Sequence, residues 1–123
     1  MTTAIEDCLF CKIINGSIPS NKVLESELSY AFRDINPVAP SHVLVVPKNH
    51  ITDASDLDGS HSSEFIDGML ADLFLVANKV AKLDEIDGSG YRMVFNVGKN
   101  AGNTVPHLHL HVLGGRLLGW PPG

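Results

Sequence analysis

The hydrophobic and polar positions along the chain define five short segments with strand character and one long segment with helical character. Strands are predicted where β-branched and aromatic residues lie between turn formers such as Asn36-Pro37 and Gly88-Ser89-Gly90. A helix is predicted over residues 62–83, because apolar side chains recur there every three or four positions. The predicted strands cover residues 22–26, 29–34, 42–46, 91–97 and 107–113.

The order of these elements predicts the fold class. Three strands, one long helix and two further strands favour an α+β domain with a mostly antiparallel sheet. A second, short amphipathic helix is predicted in "CLFCKIING", which ends at Gly16. The 123 residues and the hydrophobic content of 44% suit one compact domain spanning 1–123.

Charge and hydropathy limit the partners that we expect. The formal net charge is -5, and no run of Lys or Arg forms a basic patch, so duplex DNA or RNA is not an expected partner. A single nucleotide in a small site remains compatible with this charge. The most apolar window, "MLADLFLVA", is interrupted by Asp72 and is too short to span a bilayer, and the first ten residues lack the pattern of a secretory signal. We therefore expect a cytoplasmic protein without a membrane segment.

Three of the six histidines lie at alternate positions in "PHLHLHVLGG", namely His107, His109 and His111. In an extended strand their imidazoles share one face, and the apolar residues between them share the other. They can be half-buried polar residues, metal ligands or catalytic groups. A single metal ion does not easily bind all three, because the outer two begin about 13 Å apart along a strand. An imidazole with a pKa near 6.5 is mostly uncharged at neutral pH, and it can attack phosphorus without prior activation.

The segment "NVGKNAGNTVPH" immediately before these histidines is rich in Gly and Asn. Both residue types tolerate positive φ, so the loop can turn backbone N–H groups inward as an anion-binding concavity, with the Thr104 hydroxyl as a further donor. It lacks the Gly-Lys-Ser/Thr ending of a Walker loop. Beside three aligned imidazoles, this loop favours a site that handles phosphate.

Cys8 and Cys11 form a Cys-x-x-Cys pair. In a reducing compartment this spacing indicates half of a metal site or a redox pair more readily than a structural disulfide. Two buried cysteines without a ligand are the remaining alternative.

The histidine motif and several other segments resemble one known family. His107 to Leu113 fits the pattern His-φ-His-φ-His-φ-φ, where φ is apolar, of the histidine triad family. "CLFCKIINGSIPS", "AFRDINPVAPSHVLVVPKNHI", "GYRMVFNVG" and "HVLGGRLLGWPPG" are similar to its Hint branch, the nucleotide-binding phosphoramidases. The resemblance implies a five-stranded antiparallel sheet that pairs in a homodimer to make a ten-stranded sheet, with a purine nucleotide site in each subunit. It also implies hydrolysis of nucleoside phosphoramidates, with adenosine phosphoramidate, AMP-lysine or acyl-AMP as substrates.

The same resemblance implies roles for individual residues. His109 is the nucleophile that forms a nucleotidyl-histidine intermediate, and the carbonyl of His107 accepts a hydrogen bond from its Nδ1. His111 and the N–H groups near Thr104 and Val105 hold the phosphate oxygens. Asn96 and Gly102 contact the phosphate, Thr104 offers a hydroxyl to the leaving group, and His42 assists proton transfer. Asp34 binds the ribose, and Phe10, Phe32 and Ile35 form the base pocket. Trp120 contacts the partner's site.

Some members of the family carry a structural zinc ion, and the matching residues here are Cys8, Cys11, His50 and His107. A Cys-x-x-Cys pair with two histidines fills a closed tetrahedral site and leaves no position for a substrate. On this hypothesis His107 is structural, while His109 and His111 are catalytic, and the chemistry itself requires no cofactor.

Other interpretations remain open from the sequence. Asp34 can be a turn residue, His42 can cap a buried strand, Asn96 can form a turn, and Trp120 can belong to a frayed tail. Two further function classes are a dinucleoside polyphosphate hydrolase that uses the same residues and a non-catalytic protein that binds nucleotide or zinc. The "WPPG" ending argues against the first of these.

Overall fold

A computed structural model describes Ile5 and residues 7–123. It contains one five-stranded antiparallel sheet with the strand order β1-β2-β3-β5-β4, so the predicted α+β fold class is confirmed. The strands are β1 (Lys22–Glu25), β2 (Ser29–Arg33), β3 (Ser41–Pro47), β4 (Tyr91–Val94) and β5 (Leu110–Gly114), the helices are α1 (Leu9–Ile14) and α2 (Ser63–Leu83), and short 3-10 turns lie at Ala54–Asp56 and Lys99–Ala101.

The two helices cover opposite faces of the sheet. Because successive strand residues point to opposite faces, β3 contributes Val43 and Val45 to the layer under α2, and Leu44 and Val46 to the layer under α1. Every residue of β3 is consequently buried. The central strand is therefore apolar on both faces, as its sequence "HVLVVP" suggests.

Polar side chains fix α2 at its start, middle and end. Ser62 caps the helix by accepting from the N–H of Phe65. Asp72 accepts hydroxyl hydrogen bonds of 2.6 and 2.5 Å from two serines of the β1-β2 hairpin. Asp84, just after the helix, accepts from the Arg33 guanidinium at 2.8 and 2.9 Å. Among the described residues, no helix is both long and apolar enough to cross a bilayer.

Two predicted strand boundaries are wrong by three residues, and the others lie within one residue of the structure. β5 begins at Leu110 instead of His107, and β4 ends at Val94 instead of Val97. The N–H of Leu108 bonds to the carbonyl of Ile51, so the backbone before Leu110 is held by a loop and not by a neighbouring strand. Val94 pairs with His111, and the two strands separate beyond that pair. The alternation of faces nevertheless persists, because Leu108, Leu110 and Val112 all lie in the layer under α2.

Candidate active site and metal-binding cluster

A cleft of about 740 Å³ lies on the α1 face of the sheet and ends at the loop before β5. The structure brings together in it nearly all of the residues that the sequence assigned to catalysis or substrate binding. Those that line it are Phe10, Phe32, Asp34, Ile35, His42, Asn96, Gly102, Thr104, Val105, His109 and His111.

His109 has a defined ring orientation and a defined hydrogen position. Its Nδ1 lies 2.7 Å from the carbonyl oxygen of His107, which can only accept, so Nδ1 carries the hydrogen. In the neutral ring the Nε2 atom therefore keeps its lone pair, and within the described chain it has no hydrogen-bond partner. The ring of Phe10 packs edge-on against it at 5.1 Å between centroids. An uncharged imidazole held in this way can act as a nucleophile.

A second pair of imidazoles, His42 and His111, is ordered by the backbone. The N–H of Val38 donates to Nδ1 of His42 at 3.1 Å, so the hydrogen of the neutral His42 ring is on Nε2. This Nε2 lies 2.9 Å from Nδ1 of His111 and 3.4 Å from a carboxylate oxygen of Asp34. The neutral His111 ring therefore presents Nε2–H, a hydrogen-bond donor.

Burial keeps both rings of this pair uncharged at neutral pH. It lowers the pKa of His111 to about 4, and the neighbouring His109 and His42 add to this effect while Asp34 opposes it. Burial also lowers the pKa of His42, again against the opposing charge of Asp34. The pair can thus pass a proton without holding a permanent positive charge.

The loop from Gly98 to Val105 has the conformation that its glycines allow. Gly98 and Gly102 have φ angles of 81° and 82°, where a side chain would be strained. The turn is closed by a bond from Asn103 N–H to the carbonyl of Gly98. Among bonds between described residues, no acceptor is found for the N–H groups of Thr104 and Val105. These two groups are therefore available to an anion in the cleft.

The other end of the cleft is apolar. Phe10 and Phe32 meet edge to face at 5.4 Å, and Leu44 and Val46 pack behind them. Asp34 lies at the rim, where its Oδ1 also accepts from the N–H of Asn36. Asp34 thus forms a turn, as one interpretation of the sequence proposed, and still contributes a carboxylate to the cleft.

Cys8, Cys11, His50 and His107 form a compact cluster behind the cleft. The two histidine Nδ1 atoms are 3.2 Å apart, and Nδ1 of His107 lies 3.2 Å from the sulfur of Cys8. Sγ of Cys11 is 3.5 Å from each of the two nitrogens. A tetrahedral zinc ion with ordinary bond lengths separates its nitrogen ligands by about 3.3 Å and a nitrogen and sulfur ligand by about 3.6 Å. These four residues fit such an ion and could bind a metal.

The surroundings of the cluster support this fit. Nε2 of the fully buried His107 donates to the carbonyl of Pro47 at 2.9 Å, so Nδ1 faces the cluster with a free lone pair. Burial lowers the pKa of His107 to about 4 and also lowers the pKa of His50, which keeps both available as ligands. Burial raises the pKa of Cys11, an effect that a bound cation would oppose.

Trp120 is the one residue predicted for catalysis or substrate binding that does not line the cleft of its own chain. It is 82% exposed, and the Arg92 guanidinium lies 5.9 Å from its ring. Arg92 also donates to the carbonyl of Gly119, and Pro122 reaches the cleft wall. These contacts bring the segment around Trp120 beside the cleft.

Sequence reasoning missed several contributors to the site. Arg92 and Val94 of β4 line the cleft together with Asn96, which follows the strand, and their two-residue spacing could have found them. The Val38 N–H and the Pro47 carbonyl, which fix two histidine rings, leave no signal in the sequence. Every residue has a backbone carbonyl, and every residue except proline has a backbone N–H.

The fold and cleft define a small α+β protein whose chemistry is centred on histidines. A model of the HIT domain matches residues 15–118, and the chain therefore belongs to the HIT, or histidine triad, family. It is 43% identical to an uncharacterised HIT-like protein of Synechococcus elongatus over 96% of this chain and 98% of that one.

Two solved structures illustrate the likeness. A HIT family hydrolase from Legionella pneumophila is 46% identical, with a TM-score of 0.86 over 95% of this chain and all of that one. A histidine triad nucleotide-binding protein from Candida albicans is 36% identical, with a TM-score of 0.73 over 94% of this chain and 83% of that one.

Proposed function

We propose that this protein is a Hint-type phosphoramidase that hydrolyses purine nucleoside 5′-phosphoramidates and related acyl nucleotides through a nucleotidyl-His109 intermediate. The observation that carries the proposal is the 2.7 Å bond from His109 Nδ1 to the His107 carbonyl, which leaves Nε2 free in the cleft. The likeness to a protein named as a HIT family hydrolase and to one named as nucleotide-binding adds support.

In the first step, Nε2 of His109 attacks the α-phosphorus while the P–N bond breaks. Asp34 accepts hydrogen bonds from the ribose hydroxyls, and the base lies between Phe32 and the exposed Ile35. Negative charge on the phosphoryl oxygens is stabilised by His111 Nε2–H and by the N–H groups of Thr104 and Val105. The departing nitrogen takes a proton from the Thr104 hydroxyl, which the His42-His111 pair restores from solvent.

In the second step, a water molecule attacks the phosphorus from the side that the amine has left. The bond between phosphorus and Nε2 breaks, and the water proton passes to the histidine pair. The net reaction consumes one water and yields a nucleoside monophosphate and a free amine. His109 returns to its starting tautomer, still hydrogen-bonded to the His107 carbonyl.

Steady-state hydrolysis of adenosine phosphoramidate tests this function. We expect His109→Ala to lose at least about a thousandfold in kcat, since removal of a nucleophile abolishes the covalent route. His61→Ala, at an exposed histidine outside the cleft, serves as the matched control and keeps full activity. Faster turnover of diadenosine polyphosphates would identify a dinucleoside polyphosphate hydrolase instead. Nucleotide binding without turnover of either substrate would contradict an enzymatic role.

We also propose that Cys8, Cys11, His50 and His107 bind one structural zinc ion. The distances between the ligand atoms are close to those around a tetrahedral ion, and the bond from His107 Nε2 to the Pro47 carbonyl leaves the His107 Nδ1 lone pair facing the cluster. Metal analysis of purified protein should find zinc at one equivalent, lost in Cys8→Ser. Stoichiometric zinc that survives this change would contradict the assignment.

Finally, we propose a homodimer in which two sheets join edge to edge into ten strands. β4 is an outer strand of the sheet, and its Met93 is 37% exposed. An unpaired strand edge favours pairing with another chain. In such a dimer the Trp120 tail, which already lies beside β4, would be positioned to reach the partner's cleft.

A further inference from the structure

The backbone leading up to His109 is not held by the sheet, although the next residue, Leu110, is paired with Val45. The paired residues of β5 begin at Leu110, so His109 and the two residues before it lie outside the ladder. Two backbone bonds hold the segment, from Leu108 N–H to Ile51 at 2.6 Å and from His107 N–H to Val105 at 2.9 Å. The position of His109 therefore depends on groups other than its strand.

His107 is the best-fixed residue of this segment. Its side chain is fully buried, with Nε2 bonded to Pro47 on β3 and Nδ1 inside the four-residue cluster. Its carbonyl oxygen accepts from Nδ1 of His109. One residue thus belongs both to the cluster and to the bond that sets the tautomer of His109.

Phe10 provides a second physical connection between the cluster and His109. It lies in α1, between Cys8 and Cys11 in the sequence. Its ring is buried, and the centroid of this ring lies 5.9 Å from that of His107 and 5.1 Å from that of His109. The Cys8 sulfur caps α1 by accepting from the N–H of Cys11, so the start of the helix depends on the position of this sulfur. A shift of this sulfur would move Phe10 against the catalytic ring.

How firmly the four side chains of the cluster are held depends on whether hydrogen bonds or metal bonds join them. Thiol groups are weak hydrogen-bond donors, whereas zinc bonds to thiolate and imidazole stabilise folded structure directly. Second-shell groups around such ions commonly change activity by about 10-fold to 100-fold when they are altered. A coupling of this size between the cluster and His109 is therefore physically reasonable.

We propose that the Cys8-Cys11-His50-His107 cluster is a positioning device for the nucleophile: when it holds a metal ion, the His107 carbonyl and the Phe10 ring keep His109 in the Nδ1–H tautomer with Nε2 directed into the cleft. Cys8, Cys11 and Phe10 are then positioning residues, although none of them takes part in the bond changes. The inference rests on the proposed role of His109 as nucleophile.

The test compares zinc-loaded protein with chelator-treated protein labelled with 15N in histidine. In imidazole NMR spectra at one fixed pH, the loaded protein should show His109 as a single Nδ1–H tautomer. After metal removal we expect a mixture of tautomers, with an unchanged circular dichroism spectrum. Zinc added back should restore the single form in wild type but not in Cys11→Ser. Val76→Ala, a buried change under α2 away from the cluster, should keep the single tautomer in the presence of zinc.

Kinetics supply a second readout. Metal removal should lower kcat for adenosine phosphoramidate by about 10-fold or more and change KM to a smaller extent, because Phe10 is the one proposed base-pocket residue whose ring contacts a residue of the cluster. An unchanged His109 tautomer after metal removal, or failure of the protein to bind zinc, overturns the positioning role. If metal removal changes the His109 tautomer but the zinc-loaded protein hydrolyses no phosphoramidate, the proposed function fails while the coupling stands.

Discussion

Four histidines in or next to the cleft, namely His42, His107, His109 and His111, differ in which ring nitrogen carries hydrogen, and a backbone group decides most of these cases. The carbonyl of Pro47 places the hydrogen of His107 on Nε2, and the carbonyl of His107 places that of His109 on Nδ1. The N–H of Val38 places that of His42 on Nε2. His111 then follows from His42, because its Nδ1 must accept. Four imidazoles can therefore serve as a metal ligand (His107), a nucleophile (His109), a proton-transfer group (His42) and a hydrogen-bond donor (His111).

The pKa of His111 leads to a prediction about stability. Its pKa is about 4 in the folded protein and near 6.5 in an unfolded chain, so the unfolded state binds more protons between these values. The free energy of unfolding should therefore decrease as pH falls from 6.5 to 4. His111→Gln removes this contribution and should flatten the dependence. Urea denaturation at pH 7 and pH 5, in chelator for both proteins, measures it; equal pH dependence in the two proteins would contradict the assigned pKa.

At the residue level, the sequence and the family resemblance together selected most of the side chains that line the cleft, but not their hydrogen-bond partners. The alternation of His107, His109 and His111 with apolar residues selects one face, and Gly98 and Gly102 indicate the turn beside it. Pro47 and Val38 act only through backbone groups, so their side chains carry no sign of the role.

The sheet separates the larger hydrophobic core on the α2 face from the cleft and the metal-binding cluster on the α1 face. α2 and the strand residues facing it form the larger apolar layer, while α1 and the opposite strand faces form the cleft and the metal-binding cluster. The periodic apolar residues of α2 predicted its bounds to within one residue. Strand starts were harder to predict, because "HLH" has strand character whether or not a neighbour pairs with it, and only the contact with Ile51 shows that pairing is delayed until Leu110.

This division predicts that the larger layer can be weakened without loss of chemistry. Leu73 on α2 is fully buried, so Leu73→Ala should lower the free energy of unfolding by about 3 kcal/mol. Well below the melting temperature, kcat and KM should be unchanged because Leu73 lies on the face opposite the cleft. Leu75→Ala, at a residue that is 60% exposed, is the control and should change stability by less than about 0.5 kcal/mol. Equal destabilisation by both changes would be inconsistent with the described core.

At the scale of the whole molecule, the proposed dimer depends on how the β4 edges of two chains pair. If two β4 edges pair around a two-fold axis, the same residue meets its own copy near the axis. Met93→Glu would bring like charges together and should convert a dimer to a monomer in light scattering coupled to size exclusion. Leu28→Glu, in the hairpin at the opposite edge of the sheet, should stay dimeric. A wild-type protein that is monomeric at about 100 μM would argue against the ten-stranded sheet, because a stable dimer has a dissociation constant below roughly that concentration.

The net charge of -5 and the shape of the cleft favour a small nucleotide over a polymer. The cleft combines one apolar end, one carboxylate at Asp34 and a loop with available N–H donors. These features correspond to base, ribose and phosphate, and they place the phosphorus beside Nε2 of His109 in the proposed complex.

The central claim is that His109 forms a covalent bond to the nucleotide, and rapid quenching during turnover of adenosine phosphoramidate tests it most directly. Intact-mass measurement should detect wild-type protein heavier by one adenylyl group within the first turnover. The adduct should be absent in His109→Ala and present in the His61→Ala control. Turnover without any adduct, or an adduct that persists in His109→Ala, would contradict the account.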